Sequence, residues 1–168
     1  NLADAAYSRA VGRRDFNNRR AVLCRLNDAA DTAAVLEKLT PGRVFNSVCT
    51  MTGRPVVFMF SGQGAQYVNM AAELYKEEPV FREEMDRCFK MLTPILGYDI
   101  KEIIYPESES GRDINQTEYT QPLLFVIEYS LARLFMEWGI MPHGMIGHSI
   151  GEFAAASISG CMSLEHTL

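Results

Sequence analysis

Gly147-His148-Ser149-Ile150-Gly151-Glu152 is the stretch whose reading decides the fold of this chain. A short apolar run, Met145-Ile146, stands ahead of it, and an alanine-rich, helix-like stretch, Phe153-Ala154-Ala155-Ala156, follows. The order is strand, sharp turn, helix. Glycines two before and two after Ser149 give the G-x-S-x-G spacing of a nucleophile elbow. A serine at such a corner has strained backbone angles, and side chains at both i±2 positions would collide there. Glycine, lacking Cβ, relieves this. The hydroxyl is then thrust out above the sheet edge, and the helix that starts there aims its free N–H groups and positive dipole end at the same place. The N–H of Ile150 is placed to stabilise an oxyanion on an acylated Ser149. The five-residue pattern alone is common, and a glycine-bounded turn that happens to contain serine is the competing reading. The flanking strand and helix, and a second glycine loop upstream, weigh for the elbow.

That second loop follows Val56-Val57-Phe58-Met59-Phe60, a continuous β-rich apolar run announced by Gly53 and Pro55. The run reads as a buried parallel strand. It leads directly into Ser61-Gly62-Gln63-Gly64-Ala65-Gln66. Open α/β sheets place ligands where a strand ends in a glycine loop. A P-loop fails here, since no lysine follows, and a dinucleotide turn fails, since its third glycine position is Tyr67. What remains is a loop of small residues whose backbone N–H groups can approach a ligand oxygen. In α/β-hydrolases the second oxyanion donor comes from a loop after an early strand, and here the N–H of Gln63 is the candidate. A tight turn without a catalytic task is the alternative.

The chain has 168 residues, enough for one domain or for one domain plus a piece of another. Hydrophobic residues make up 48% and charged ones 22%, so a sizeable core can form. A net charge of −5 gives no basic field to hold nucleic acid. Arg13-Arg14 and Arg19-Arg20 are the basic clusters, read as solvated surface with a docking patch as the alternative. Cys24, Cys49, Cys88 and Cys161 are far apart, with no C-x-x-C, which argues against a zinc site and a disulfide framework. Reduced thiols in a cytoplasmic protein are the simplest account. The longest apolar run, Pro122 to Ile127, is too short to span a bilayer, and no signal peptide is expected in these opening residues.

Residues 1 to about 50 differ from the rest. A short helix is expected at Leu2 to Tyr7, a turn or loop through Arg20, a strand at Ala21 to Cys24, and a helix from Asp28 to Leu39 with Pro41-Gly42 as its stop. Beyond the first glycine loop, Tyr67, Met70, Ala71, Leu74 and Tyr75 fall at helical spacing. Pro79 restarts the chain, and Phe81, Met85, Cys88, Phe89 and Leu92 mark an amphipathic helix. A short helix is expected at Asp99 to Ile104 and a polar exposed loop at Glu107 to Arg112. Thr120-Gln121-Pro122 opens the longest helix, with proline in its first turn. Its Ser130, Arg133 and Glu137 form one narrow polar stripe, and the rest is expected to be buried. Gly139 ends it. After the elbow a helix runs to about Ser159, Gly160 stops it, and Ser163-Leu164-Glu165 begins another.

The segments Phe60 to Gln66 and Gly147 to Glu152, with Tyr119-Thr120-Gln121-Pro122 between them, resemble the acyltransferase domains of modular type I polyketide synthases. Malonyl-CoA:acyl carrier protein transacylases are similar. The resemblance is specific over residues 54 to 168. It also extends upstream, where Leu2 to Tyr7, Val11 to Arg14 and Arg19-Arg20-Ala21 look like the end of the linker joining a ketosynthase to its acyltransferase. The implied organisation is residues 1–50 as that linker end and 51–168 as the N-terminal half of the catalytic domain. The implied fold is an α/β-hydrolase-like acyltransferase core with an incomplete parallel sheet, plus a small α/β fragment at the N-terminus.

The resemblance implies ping-pong acyl transfer in secondary-metabolite biosynthesis by a multifunctional enzyme. Ser149 attacks an acyl-CoA thioester and holds the acyl group as an ester, and the phosphopantetheine thiol of an acyl carrier protein collects it. Gln63 and Ile150 would supply the oxyanion hole, and Gln63, His148 and Gln121 would line the substrate. The competing readings of His148 and Gln121 are a loop-fixing histidine and a helix-capping glutamine. No metal and no resident cofactor are implied, and the partners are the acyl-CoA, the carrier protein and the adjacent ketosynthase, with no nucleic acid and no membrane. Ile150 after the serine, and the segment Asn115 to Pro122, favour malonyl over methylmalonyl. The family's histidine base and carboxylate-binding arginine have no counterpart here: His143 is expected to be exposed, and His166 has no family motif around it. Both groups are expected past Leu168, so the stretch alone is expected to transfer little or nothing. A serine hydrolase or thioesterase on the same elbow, and a non-catalytic structural fragment, are the alternatives. The Gly62-Gln63-Gly64 loop and Glu152 speak against the hydrolase.

Overall fold

A computed structural model describes residues 1–25, 27–107 and 112–168 of the chain, so most of the loop expected at 107–112 lies outside the described residues. The chain divides into two compact units, Asn1–Arg54 and Pro55–Leu168.

The first unit is built mostly from local devices. Helix α1, Leu2–Val11, starts at a capping box in which the Asn1 side chain accepts from the Asp4 amide and Asp4 answers to the Asn1 backbone. None of its residues is buried. Strands β1, Asn18–Val22, and β2, Val44–Val48, pair antiparallel with Asn18 opposite Val48 and Val22 opposite Val44. This corrects the sequence reading twice. The basic stretch is strand rather than loop from Asn18 onward, and β2 was not expected at all. Both strands are exposed along most of their length, so neither carries the alternation that marks a half-buried strand. Between them runs α2, Ala29–Lys38, whose cap Asp28 accepts from the Asp31 amide at 2.8 Å. It ends at Leu39 in the left-handed region (φ 50°), two residues before the anticipated Pro41-Gly42 stop. Among the described residues of this unit the buried side chains are Thr32 and Val35 of α2 and Val44 of β2.

The second unit has a true core. Strand β3, Val56–Phe60, pairs parallel with β4, Pro142–Gly147, with Phe58 opposite Met145 and Phe60 opposite Gly147. Phe58 and Phe60 face inward onto α4, Pro79–Leu96, and α6, Thr117–Glu137. Phe81, Met85, Cys88, Phe89 and Leu92 of α4 are all buried, as their spacing predicts. The opposite sheet face is bare: Met59 is 80% exposed and Ile146 57%. The expectation of a strand buried on both faces therefore fails for β3, because the helices of this unit cover one face only.

Four shorter elements complete it: α3, Ala72–Glu77; α5, Lys101–Ile104; α7, Gly151–Ile158; and α8, Leu164–Thr167. Helix α3 is shorter than the spacing of Tyr67 to Tyr75 suggests. Asn69 and Ala71 adopt φ of 63° and 58°, which breaks the helix before Ala72. Helix α6 begins three residues before Thr120, leaving Pro122 inside it. Ser130 is fully buried rather than part of the polar stripe, whereas Arg133 and Glu137 are exposed. Among the described residues no helix is long and apolar enough to cross a membrane.

Candidate active site

Strand β4 delivers the chain into a corner at Ser149, whose φ is 55°. A left-handed non-glycine residue costs of order 1–3 kcal/mol and persists only where its surroundings hold it. The surroundings here are specific. The His148 amide donates to the Phe60 carbonyl at 3.1 Å, tying the corner to the end of β3. The Gly151 amide donates to His148 O at 3.1 Å and the Glu152 amide to Ser149 O at 3.1 Å, closing the turn into α7. A Cβ on Gly147 would lie 2.2 Å from the Glu152 nitrogen, and one on Gly151 would lie 2.6 Å from the Ser61 carbonyl oxygen. Both flanking positions thus exclude a side chain, for the steric reason the spacing suggested.

Ser149 and His148 are exposed, and Ile150 is half-buried with its side chain against the core. The two glycine loops touch: a Cβ on Gly62 would lie 2.2 Å from His148 Nδ1. Gln63, the next residue, is therefore within one position of the elbow. Among the described residues neither the Gln63 nor the Ile150 amide donates to a protein acceptor. The Gln63 side chain is occupied elsewhere, since its Nε2 donates to Thr117 Oγ1 at 3.2 Å. Gln121 sits half-buried one turn along α6 from Thr117, on the same face. It is not a cap: the helix begins four residues earlier. His143 is exposed at the start of β4, the end of the strand remote from Ser149, and the His166 ring pairs with Ser163 Oγ at 3.0 Å.

The loop after β3 is lashed to α6 and its approach by three side-chain bonds. Besides Gln63 to Thr117, Gln66 Nε2 donates to Asn115 Oδ1 at 2.9 Å while Gln66 Oε1 accepts from the Gly64 amide at 2.8 Å. Ser61 Oγ donates to Glu128 Oε1 at 2.6 Å. Glu128 is only 9% exposed, and its Oε2 is buried with no partner. Burial raises its carboxyl above the usual carboxylate range, and the bonds from Ser61 pull it part of the way back. The sequence reading named Gln63 as a backbone donor and Glu128 only as a polar break in the long helix, and it assigned neither an anchoring role. For Glu128 a signal existed, one carboxylate inside the apolar run Leu123 to Tyr129.

A parallel strand pair leads into a serine held in left-handed conformation, with a glycine loop against the corner, which is the geometry of a nucleophile elbow. The chain belongs to the acyl transferase domain family, whose model matches residues 57–168. It is 39% identical over 168 residues to erythronolide synthase EryA2 of Saccharopolyspora erythraea, an alignment covering 98% of this chain and 5% of that protein. The acyl transferase domain of ZmaA superposes over 99% of this chain and 39% of its own length, with a TM-score of 0.86 and 40% identity. That of SpnD, solved in complex with 2-(pent-4-yn-1-yl)malonyl, matches 98% of this chain and 38% of its own, with a TM-score of 0.76 and 34% identity. The chain thus spans under half the length of the solved domains and a small fraction of the synthase.

Proposed function

We propose that this chain is the nucleophile-bearing part of a polyketide synthase acyltransferase that loads an extender unit from coenzyme A onto an acyl carrier protein. The observation that carries this is Ser149, held at φ 55° against the Gly62-Gln63 loop. Ser149 Oγ attacks the thioester carbonyl, and the tetrahedral oxyanion accepts from the Gln63 and Ile150 amides. The C–S bond then breaks and the thiol of coenzyme A leaves with the proton. In the second half-reaction the phosphopantetheine thiol attacks the seryl ester through the same oxyanion, and Ser149 regains its proton. Each amide donor contributes roughly 3 kcal/mol to the transition state. A histidine outside residues 1–168 carries the proton, since His143 and His166 lie elsewhere and His148 is turned onto Gly62. His148 and Gln121 border the acyl group.

The acyl unit is malonyl in preference to methylmalonyl, supported by Ile150 after the serine; the 2-substituted malonyl named for the SpnD domain supports only a malonyl-class unit. Residues 1–50 are the end of a ketosynthase–acyltransferase linker, supported by a ZmaA match that extends over 99% of this chain. The test is mass spectrometry of the intact protein carrying this chain after incubation with malonyl-CoA. One malonyl group is expected on the Ser149 peptide, lost in Ser149→Ala and discharged by a holo acyl carrier protein. Release of free malonate without transfer would make the protein a hydrolase instead.

A further inference from the structure

Glu128 stands out because the chemistry described so far does not use it. It lies in the middle of α6, 9% exposed, among buried Val126, Ile127 and Tyr129. It also lines a groove of about 460 Å³ beside β3, with Phe58, Phe60, Leu131 and Phe135 among its walls. An isosteric apolar residue would suit that setting better, because a buried carboxyl with one bare oxygen is costly to hold. Among the described residues its one side-chain partner is Ser61, 67 residues away in sequence and at the junction where β3 becomes the glycine loop. Ser61 also meets the elbow through its backbone, since its carbonyl oxygen is where a Cβ on Gly151 would collide.

We propose that Glu128 is a positioning residue for the oxyanion loop: it accepts the Ser61 hydroxyl at 2.6 Å and so holds the Ser61-Gly62-Gln63 backbone in register with Ser149. This rests on the transferase reading above. The Gln63 and Gln66 bonds secure the outer part of the loop to the start of α6, and Glu128 secures its root. The Gln63 amide lies two residues from that root, so a small rotation at Ser61 swings the donor away from the oxyanion. Misplacement by about 1 Å is enough to cost a large factor in rate.

The test is single-turnover acylation of Ser149 by malonyl-CoA in the full protein, with thermal melting measured alongside. Glu128→Leu is expected to lower the acylation rate constant by about 10- to 100-fold while KM stays near wild type and the melting temperature does not fall. Glu128→Gln keeps an acceptor oxygen for Ser61 and is expected to acylate close to the wild-type rate. Ser61→Ala should reproduce the Glu128→Leu defect without disturbing the core. The double variant should be no slower than Glu128→Leu alone, since Ser61→Ala removes a bond that Glu128→Leu has already lost. Wild-type rates in Glu128→Leu and Ser61→Ala, multiplicative losses in the double variant, or losses that follow a falling melting temperature would overturn the proposal. If the wild-type protein itself forms no malonyl ester, the transferase reading fails and takes this inference with it. If it does form the ester, the variants judge Glu128 alone.

Discussion

The two units of this chain are held together by different means. In Asn1–Arg54 the bonds are mostly at the surface: a capping box at Asn1, a cap at Asp28, and a two-stranded ladder with Arg20 Nε on Asn46 Oδ1 at 2.6 Å. Arg43 adds a fork, donating to both oxygens of Asp31 at 3.1 and 2.7 Å and to the Leu23 carbonyl. In Pro55–Leu168 the helices α4 and α6 bury a continuous apolar cluster against one sheet face, and Phe81, Met85, Leu123 and Leu124 are fully enclosed. Each apolar side chain removed from water contributes about 1.5–3 kcal/mol, whereas a surface ion pair contributes about 0–1 kcal/mol. A strained serine needs stiff surroundings, and the elbow belongs to the unit that has them.

The largest expected effect tests that contrast directly. Phe81→Ala empties a fully buried site and should destabilise the second unit by about 3–5 kcal/mol in urea unfolding followed by the single tryptophan, Trp138. Val35→Ala, in the small core of the first unit, should cost about 1.5 kcal/mol, read by amide exchange in α2 and β2. Equal losses would break the comparison.

A smaller effect is expected at the corner itself. In Gly151→Ala the added methyl would meet the Ser61 carbonyl oxygen at 2.6 Å and the Phe60 carbonyl oxygen at 2.7 Å, both backbone atoms. We expect a loss of about 1–3 kcal/mol, with acylation of Ser149 reduced further than stability. Wild-type acylation in a stably folded variant would show that the close contact of the two loops is dispensable.

The smallest effect is in acid. The hydrogen bonds from Arg43 hold the Asp31 carboxyl below the usual carboxylate value. The stability Asp31 contributes is therefore present above its unfolded value of about 3.9 and is lost as pH falls through its lower folded value. Glu128 has the opposite sign. Burial raises its carboxyl, so the second unit is relieved of a cost as pH falls through the folded value toward the unfolded one. Acid titration followed by amide exchange should thus weaken the first unit around Asp31, and Asp31→Asn should flatten that response; around Glu128 acid relieves a cost, while Glu165, held low by its own backbone amide and by Ser163, behaves like Asp31. The Arg43–Asp31 pair is only half-buried and still screened by salt, so the change is small.

Much of the second unit was legible before folding. The limits of β3 and the buried stripe of α4 follow from runs and periods within a few turns of chain. The elbow was legible for the same reason at Gly147, whose collisions fall on Gly151 and Glu152 within the corner, whereas the space at Gly151 is closed by the distant Phe60 and Ser61 backbone. The first unit was harder. Its strands are short and solvent-facing, and what makes β2 a strand is β1 lying beside it, with Arg20 opposite Asn46. The start of α6 was misplaced because Pro122 suits a first turn, yet the helix opens at Thr117, which meets Gln63 across the site.

The sequence alone determined the corner, the glycine loop and the amphipathic helix, because short-range sterics and repeat spacing are written into neighbouring residues. Only the tertiary structure decided that the Ser61 hydroxyl would find Glu128, that Ser130 would be enclosed, and that Met59 and Ile146 would stand on an uncovered face. Those outcomes depend on which surfaces meet across long separations in the chain. A hydroxyl, a carboxyl or a methionine carries no mark of the partner it will face.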